Sequence, residues 1–193
     1  SGKFIVSVLK NPEVSEAVET LLDNGGLILG ICNGFQALIK SGLLPYGKIG
    51  AVNSSSPTLI ENTAGRHIST IAPTRYTGAS SPWLEDFYEG EIHHLPFSHG
   101  EGRFRACRNT LDELFRNGQV AFQYADLSGN PAEGEKSING SDGGVEGLIS
   151  PDGRILGKMG HSERYRKLLY KNYPGFRHQN IFASGVRYFK RRS

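Results

Sequence analysis

A short apolar run at residues 27–31 ends at Cys32, and this junction constrains the fold more than any other part of the chain. Gly30 and Gly34 lie two residues before and after the cysteine, and a helix-like segment follows at residues 35–41. This pattern is typical of a nucleophile elbow, a sharp strand-to-helix turn whose flanking positions must be small. The unpaired N–H groups of a helix N-terminus would also favour the thiolate. The alternative is a buried structural cysteine at the end of a core strand.

A second strand-like run, residues 155–159, leads into Gly160 and His161, with Glu163 two residues later. A doubly wound sheet carries its functional groups beyond the carboxyl ends of its strands, which is where this pattern places His161. A nucleophilic cysteine needs a base, and the base needs a group that orients it. Cys32, His161 and Glu163 are therefore a candidate catalytic set of the triad kind. A His-x-Glu pair alone is more typical of a solvated loop, and the elbow is what favours catalysis.

The rest of the chain alternates helix and strand patterns, as in an α/β sheet with helices on its faces. Helices are predicted at residues 14–22, 35–41 and 111–117, and strands at residues 27–31, 68–72, 91–95, 120–124, 145–149 and 155–159. Residues 50–65 are predicted to be a loop, and the glycine-rich residues 126–144 a long connection.

Two segments carry a family resemblance: GICNGFQ at residues 30–36 and GHSER at residues 160–164. They resemble the nucleophile and His-x-Glu motifs of class I glutamine amidotransferases. With PFSHGEGRF at residues 96–104, the chain resembles more narrowly the C-terminal glutaminase domain of large-form phosphoribosylformylglycinamidine synthases. The likeness covers nearly the whole chain. It implies a flavodoxin-like α/β fold, with a mostly parallel sheet and helices on both faces.

The resemblance also implies a reaction for the candidate catalytic set. Cys32 would attack the side-chain amide of glutamine, His161 would shuttle the proton and Glu163 would orient His161. Ammonia would leave, and water would release glutamate from a γ-glutamyl thioester. Backbone N–H groups, including that of Asn33, would hold the oxyanion together with a loop upstream of this chain.

Further residues are candidates for substrate binding on the same resemblance: Asn33, Gln36, Ser98, His99 and Arg103. The glycines around His99 would allow close backbone approach, and Arg103 would pair with a carboxylate. Two alternatives remain open. His99 and Arg103 would instead stabilise a loop or face a neighbouring domain, and Gln36 would instead position its helix.

No cofactor is expected in this chain, because it has no phosphate-binding GxxxxGK[ST] motif. No metal is expected either, because His93 and His94 have no third ligand at suitable spacing and are interpreted as structural. By resemblance, the full-length synthase would use ATP and magnesium. Its partners would be glutamine and a synthetase domain of the same polypeptide, which would form formylglycinamidine ribonucleotide for purine biosynthesis.

The chain departs from the family pattern in two ways. Ser162 stands where many members have proline, which removes some rigidity and leaves both catalytic side chains in place. Family domains also begin upstream with a first strand, a helix and a glycine-rich loop. Residues 1–193 are therefore interpreted as one glutaminase domain without its N-terminal strands, and the isolated fragment is expected to have little or no activity.

Composition limits the other functions that the chain could have. A net charge of +3 does not indicate a nucleic-acid surface. Two cysteines without metal or disulfide spacing favour a reducing compartment, and no run is long enough for a membrane span, so a cytoplasmic protein is expected. Alternatives are the glutaminase of another amidotransferase, a thiol hydrolase of the same architecture, and a non-catalytic docking domain.

Overall fold

The computed structural model describes residues 2–192, so Ser1 and Ser193, the two ends of the expected domain, lie outside the described residues. Its helices are α1 (Lys3–Leu9), α2 (Pro12–Asp23), α3 (Asn33–Ser41), α4 (Leu43–Tyr46), α5 (Arg108–Arg116) and α6 (Ile181–Lys190). Its strands are β1 (Ile28–Ile31), β2 (Thr58–Glu61), β3 (Ile68–Tyr76), β4 (Ile92–His99), β5 (Glu101–Arg105), β6 (Val120–Tyr124), β7 (Val145–Ile149) and β8 (Ile155–Lys158).

Six of these strands form one sheet in the order β1-β8-β7-β6-β3-β4. The α/β class is confirmed, but the expected mostly parallel arrangement holds only between β1 and β8. The other four pairings of this sheet are antiparallel. A tight turn accounts for one of them, because the Gly153 N–H donates to the Ser150 carbonyl (2.9 Å) and joins β7 to β8 as a hairpin.

The loop predicted at residues 50–65 is wrong at Thr58–Glu61, which is strand β2. It pairs antiparallel with β5 in a separate two-stranded sheet. Local patterning missed this pairing because its partner is distant in sequence and strand formation depends on such neighbours. Helix α1 was also not predicted, and none of its residues is buried.

Two glycines let helix α3 lie close against the sheet, on the strands β1 and β8. A Cβ atom at Gly30 would overlap Leu38, and one at Gly157 would overlap Phe35. Both apolar side chains are buried in the main core, and burying each contributes roughly 1.5–3 kcal/mol. This packing fixes the N-terminus of α3 directly beyond the end of β1.

The paired strands β1 and β8 bring the two sequence motifs together. Ile31 is the register partner of Lys158, and the next residue, Cys32, donates its N–H to the Lys158 carbonyl (2.8 Å). Because the strands are parallel, the segments that follow them leave the sheet at the same edge. Within residues 2–192, no helix is both long enough and apolar enough to span a bilayer.

Candidate active site

Cys32 occupies the predicted sharp turn between β1 and α3. Its backbone has φ 52° and ψ −102°, a conformation that non-glycine residues rarely adopt and that stores strain. Hydrogen bonds hold the turn on both sides, from the Cys32 N–H to Lys158 and from the Gln36 N–H to the Cys32 carbonyl (3.1 Å). The backbone therefore presents the cysteine in one fixed orientation.

The Cys32 thiol is half-buried, and its Sγ lies 3.8 Å from the Ser98 carbonyl oxygen, to which it donates. Burial raises the pKa of this thiol above its ordinary value, while the Asn33 N–H and the positive charge of Arg164 lower it. The predicted effect of the helix N-terminus is thus present, but burial outweighs it. The resting thiol is neutral and needs a base to become nucleophilic.

His161 and Glu163 form a close pair beyond the end of β8. His161 Nδ1 lies 2.5 Å from Glu163 Oε1, and the His161 N–H donates to the Pro96 carbonyl (2.9 Å). An ionised carboxylate only accepts hydrogen bonds, so Nδ1 is the donor, and in the neutral imidazole Nε2 is then the acceptor. That Nε2 is buried without a hydrogen-bond partner among residues 2–192. It is an available proton acceptor at the edge of the sheet where Cys32 also lies, because the strands that lead to the two residues, β8 and β1, are paired in parallel.

A cavity of about 290 Å³ opens beside the thiol, near the lower end of the size range of small-molecule sites. It brings together Cys32 and four of the five residues expected to bind substrate. The lining residues are Cys32, Asn33, Gln36, His67, Ser98, His99, Gly100 and Glu101.

Gln36 and His99 each use one polar atom to hold the cavity wall and leave another unpaired. Gln36 Nε2 donates to the Glu101 carbonyl, and its buried Oε1 has no partner in the described chain. His99 Nδ1 lies 3.0 Å from Asn62 Oδ1, which also accepts from the Gly102 N–H. His99 Nδ1 is therefore the donor, and its buried Nε2 is an unpaired acceptor.

The charge state of His99 follows from its surroundings. Burial, and then the neighbouring imidazoles of His67 and His161, lower the pKa of His99 to about 4. His99 is consequently neutral at pH 7. Leaving such buried polar atoms unpaired is unfavourable by about 1–3 kcal/mol each, so a polar ligand in the cavity would gain by satisfying them.

Arg103 lies outside this cavity, unlike the other residues expected to bind substrate. Its Nε donates to the Gly140 carbonyl (3.0 Å), which ties strand β5 to the connection at residues 126–144. This placement matches the alternative in which Arg103 stabilises a loop. His93 is buried beside Glu91 (3.4 Å), and burial lowers its pKa to about 3.

His67 lines the cavity but was not singled out from the sequence. His67 directly precedes β3, and its Nε2 lies 3.1 Å from the hydroxyl of Ser98 on the paired strand β4. No local motif surrounds it, because the residue reaches the site only through strand pairing. Among the described residues, no group of three His, Cys, Asp or Glu side chains is placed to hold a metal ion.

The chain is similar to known glutamine amidotransferases in both sequence and fold. The family model described as a CobB/CobQ-like glutamine amidotransferase domain matches residues 1–189. The chain belongs to the glutamine amidotransferases. The amidotransferase is 33% identical over 184 residues to phosphoribosylformylglycinamidine synthase subunit PurQ of Alkaliphilus metalliredigens, covering 95% of this chain and 71% of the relative. It is 39% identical over 160 residues to PurQ of Synechococcus elongatus, covering 83% of this chain and 63% of the relative. Within the amidotransferases it is therefore of the PurQ type.

Solved structures agree with the fold. The PurLQS structure from Thermotoga maritima superposes with a TM-score of 0.67 at 26% identity, covering 94% of this amidotransferase and 71% of that chain. The glutaminase domain of Trypanosoma brucei CTPS with bound acivicin has a TM-score of 0.51 at 14% identity, covering 94% and 78%. The second match bears on the fold alone. The expected class I amidotransferase fold is confirmed.

Proposed function

We propose that this chain hydrolyses glutamine and supplies the ammonia for synthesis of formylglycinamidine ribonucleotide in purine biosynthesis. The observation that carries the proposal is the placement of Cys32 at a strained elbow that opens on a cavity, at the sheet edge where the strand paired with β1 leads to the His161–Glu163 pair. The PurQ relatives, which are named as subunits of phosphoribosylformylglycinamidine synthase, support the choice of pathway.

The reaction begins with transfer of the thiol proton from Cys32 to His161 Nε2. Sulfur then attacks the amide carbon of glutamine, and the oxyanion faces the N-terminus of α3, where the Asn33 N–H donates. The imidazolium, stabilised by Glu163, returns its proton to the leaving nitrogen, and ammonia departs from a γ-glutamyl thioester. Water, deprotonated by His161, attacks the thioester, and glutamate is released as the Cys32 thiol forms again.

For substrate binding we propose Asn33, Gln36, Ser98 and His99. The unpaired Gln36 Oε1 accepts a hydrogen bond from the amino group of glutamine, because a carbonyl oxygen can only accept. The neutral His99 closes the wall without adding charge. We assign Arg103 to holding the segment around Gly140 rather than to a substrate carboxylate.

The ammonia passes in this proposal to an ATP- and magnesium-dependent synthetase. That partner is either a domain of the same polypeptide, as the sequence resemblance implies, or a separate subunit, as the PurQ relatives suggest. We assign ATP and magnesium to the partner, because the sequence resemblance implies both for the full-length synthase. The two free cysteines and the need for a reduced Cys32 support a cytoplasmic location.

A glutamine-analogue electrophile tests the proposal in the complete protein. We expect it to label Cys32, to be displaced by excess glutamine, and to fail with Cys32→Ala. Cys107→Ser, which removes the other free thiol, is the matched control and should be labelled like the unsubstituted protein. Labelling that persists in Cys32→Ala contradicts the assignment. Turnover of peptide or ester substrates without glutamine hydrolysis would instead indicate a thiol hydrolase.

A further inference from the structure

Glu146 and Lys158 form an ion pair whose side chains are both 0% exposed. Lys158 Nζ lies 3.3 Å from Glu146 Oε1, across the neighbouring strands β7 and β8. Fully buried charges are rare and require partners. Since a well-packed apolar pair of similar volume is often as stable or more stable, fold stability alone does not explain why charges are placed here.

Both charges converge on one peptide segment, at Gly160. Lys158 Nζ donates to the Gly160 carbonyl (2.7 Å), and the Gly160 N–H donates to Glu146 Oε1 (2.5 Å). The next N–H, that of His161, donates to the Pro96 carbonyl (2.9 Å). Every backbone polar group from the Gly160 N–H to the His161 N–H is therefore held by a defined partner.

The segment also has no room to move aside. A Cβ atom at Gly160 would lie 2.7 Å from a Leu95 methyl group and 3.0 Å from both Glu146 Oε1 and the Phe97 ring. Lys158 reaches the other half of the site as well, because its own carbonyl accepts the Cys32 N–H (2.8 Å). One residue thus contacts the nucleophile through its backbone and the segment carrying the base through its side chain.

We propose that Glu146 and Lys158 are positioning residues that set the distance and angle between His161 and Cys32. Glu163 fixes the rotation of the His161 side chain, and the buried ion pair fixes the backbone segment from which that side chain extends. This inference rests on the proposed glutamine hydrolysis. Neither side chain lines the cavity, so both act on the rate through His161 rather than on glutamine binding.

Substitutions in the complete protein test the proposal, with kcat, KM for glutamine and thermal unfolding measured for each. Lys158→Met keeps the aliphatic stem and removes the donor to Gly160. The double variant Lys158→Met/Glu146→Gln removes both charges, so the local net charge is unchanged and no uncompensated buried charge remains. Leu114→Ala, in the core on helix α5, is a control for lowered stability alone.

We expect Lys158→Met to lower kcat roughly 10- to 100-fold with KM nearly unchanged, since about 1 Å of misplacement can reduce a rate 10²-fold. The double variant should regain thermal stability and keep the loss in kcat. Leu114→Ala should lose stability and keep kcat. Recovery of kcat together with stability in the double variant would overturn the proposal, because the pair would then be structural only.

A second readout separates this inference from the proposed function. The rate at which iodoacetamide alkylates Cys32, followed by peptide mass spectrometry in a Cys107→Ser background, reports proton removal by His161 without any glutamine. We expect slower alkylation at pH 7 in both Lys158 variants, even if the protein hydrolyses no glutamine. Unchanged alkylation in both variants would refute the positioning role, whatever the substrate.

Discussion

Glu163→Gln is the sharpest test of the His161–Glu163 pair, because it removes the charge and keeps the size. The substitution changes the hydrogen bond between His161 Nδ1 and Glu163 Oε1, which are 2.5 Å apart. The imidazole side chain is 8% exposed and the carboxylate side chain 41% exposed. A hydrogen bond to a charged group contributes about 1.5–3 kcal/mol. Because Glu163 is partly solvated, we take the lower half of that range, about 1.5–2 kcal/mol, which is a loss of roughly 10- to 30-fold in kcat.

A wrong tautomer would enlarge this loss. The side-chain amide introduced by Glu163→Gln can turn its NH₂ group toward His161 Nδ1. The imidazole proton would then move to Nε2, which could no longer accept the Cys32 proton. The corresponding change in the serine-protease triad lowers kcat about 10⁴-fold. KM for glutamine should change little in either case, since Glu163 does not line the cavity.

The assay is steady-state release of glutamate by the complete protein, with circular dichroism to verify folding. Glu91→Gln is a matched control, because it breaks a second histidine–glutamate contact (3.4 Å to His93) away from the thiol. We expect Glu91→Gln to keep kcat. If Glu163→Gln retained more than half of the kcat, or if both variants lost the same amount, the assigned role of Glu163 would be wrong.

Three further predictions concern residues around the site. Gly30→Ala should lower the free energy of unfolding by about 1–3 kcal/mol in denaturant titrations, because its Cβ atom would overlap α3. Gly34→Ala has open space for its Cβ atom and should be tolerated, so equal losses in the two variants would contradict the prediction. Arg103→Gln should leave KM for glutamine unchanged, and a large rise in KM would restore Arg103 to the substrate site. In a variant without the catalytic base, iodoacetamide at pH 7 should alkylate Cys107 faster than Cys32. Hydrogen bonds from Thr110 lower the pKa of the exposed Cys107 thiol, whereas burial raises the pKa of the Cys32 thiol. Peptide mass spectrometry that shows the reverse order would refute this electrostatic argument.

The elbow and the His-x-Glu segment were predictable because each is encoded locally. An apolar run, flanking glycines and a helix start define the turn at Cys32, and the end of a strand-like run places His161. The prediction that both positions flanking the elbow must be small is supported only at Gly30. A Cβ atom at Gly30 would overlap its neighbours, whereas Gly34 has open space beside it. Adjacent sequence identifies a turn, but packing decides which residue the turn requires to be small.

Features that depend on pairing between distant segments were not predictable. Strand β2 is defined by β5, and His67 is placed at the cavity by the pairing of β3 with β4. The antiparallel directions of β3, β4 and β6 also depend on pairing between segments that are far apart in the sequence. The buried charge of Lys158 has the same origin. Its position in a strand was predicted, but its burial depends on Glu146 in the neighbouring strand, which no local period reveals.

The turn between β7 and β8 limits which length changes this chain can accept. Ser150 and Gly153 close it, and the Ser81 hydroxyl donates to the Gly153 carbonyl (2.6 Å), so its span is fixed from outside as well. A slip of one residue in β8 would send each of its side chains to the opposite face of the sheet. Lys158 would then leave its partner Glu146, and His161, just beyond the end of β8, would be displaced relative to Cys32. A single inserted residue at this remote turn should therefore be more harmful than many substitutions in the cavity wall itself.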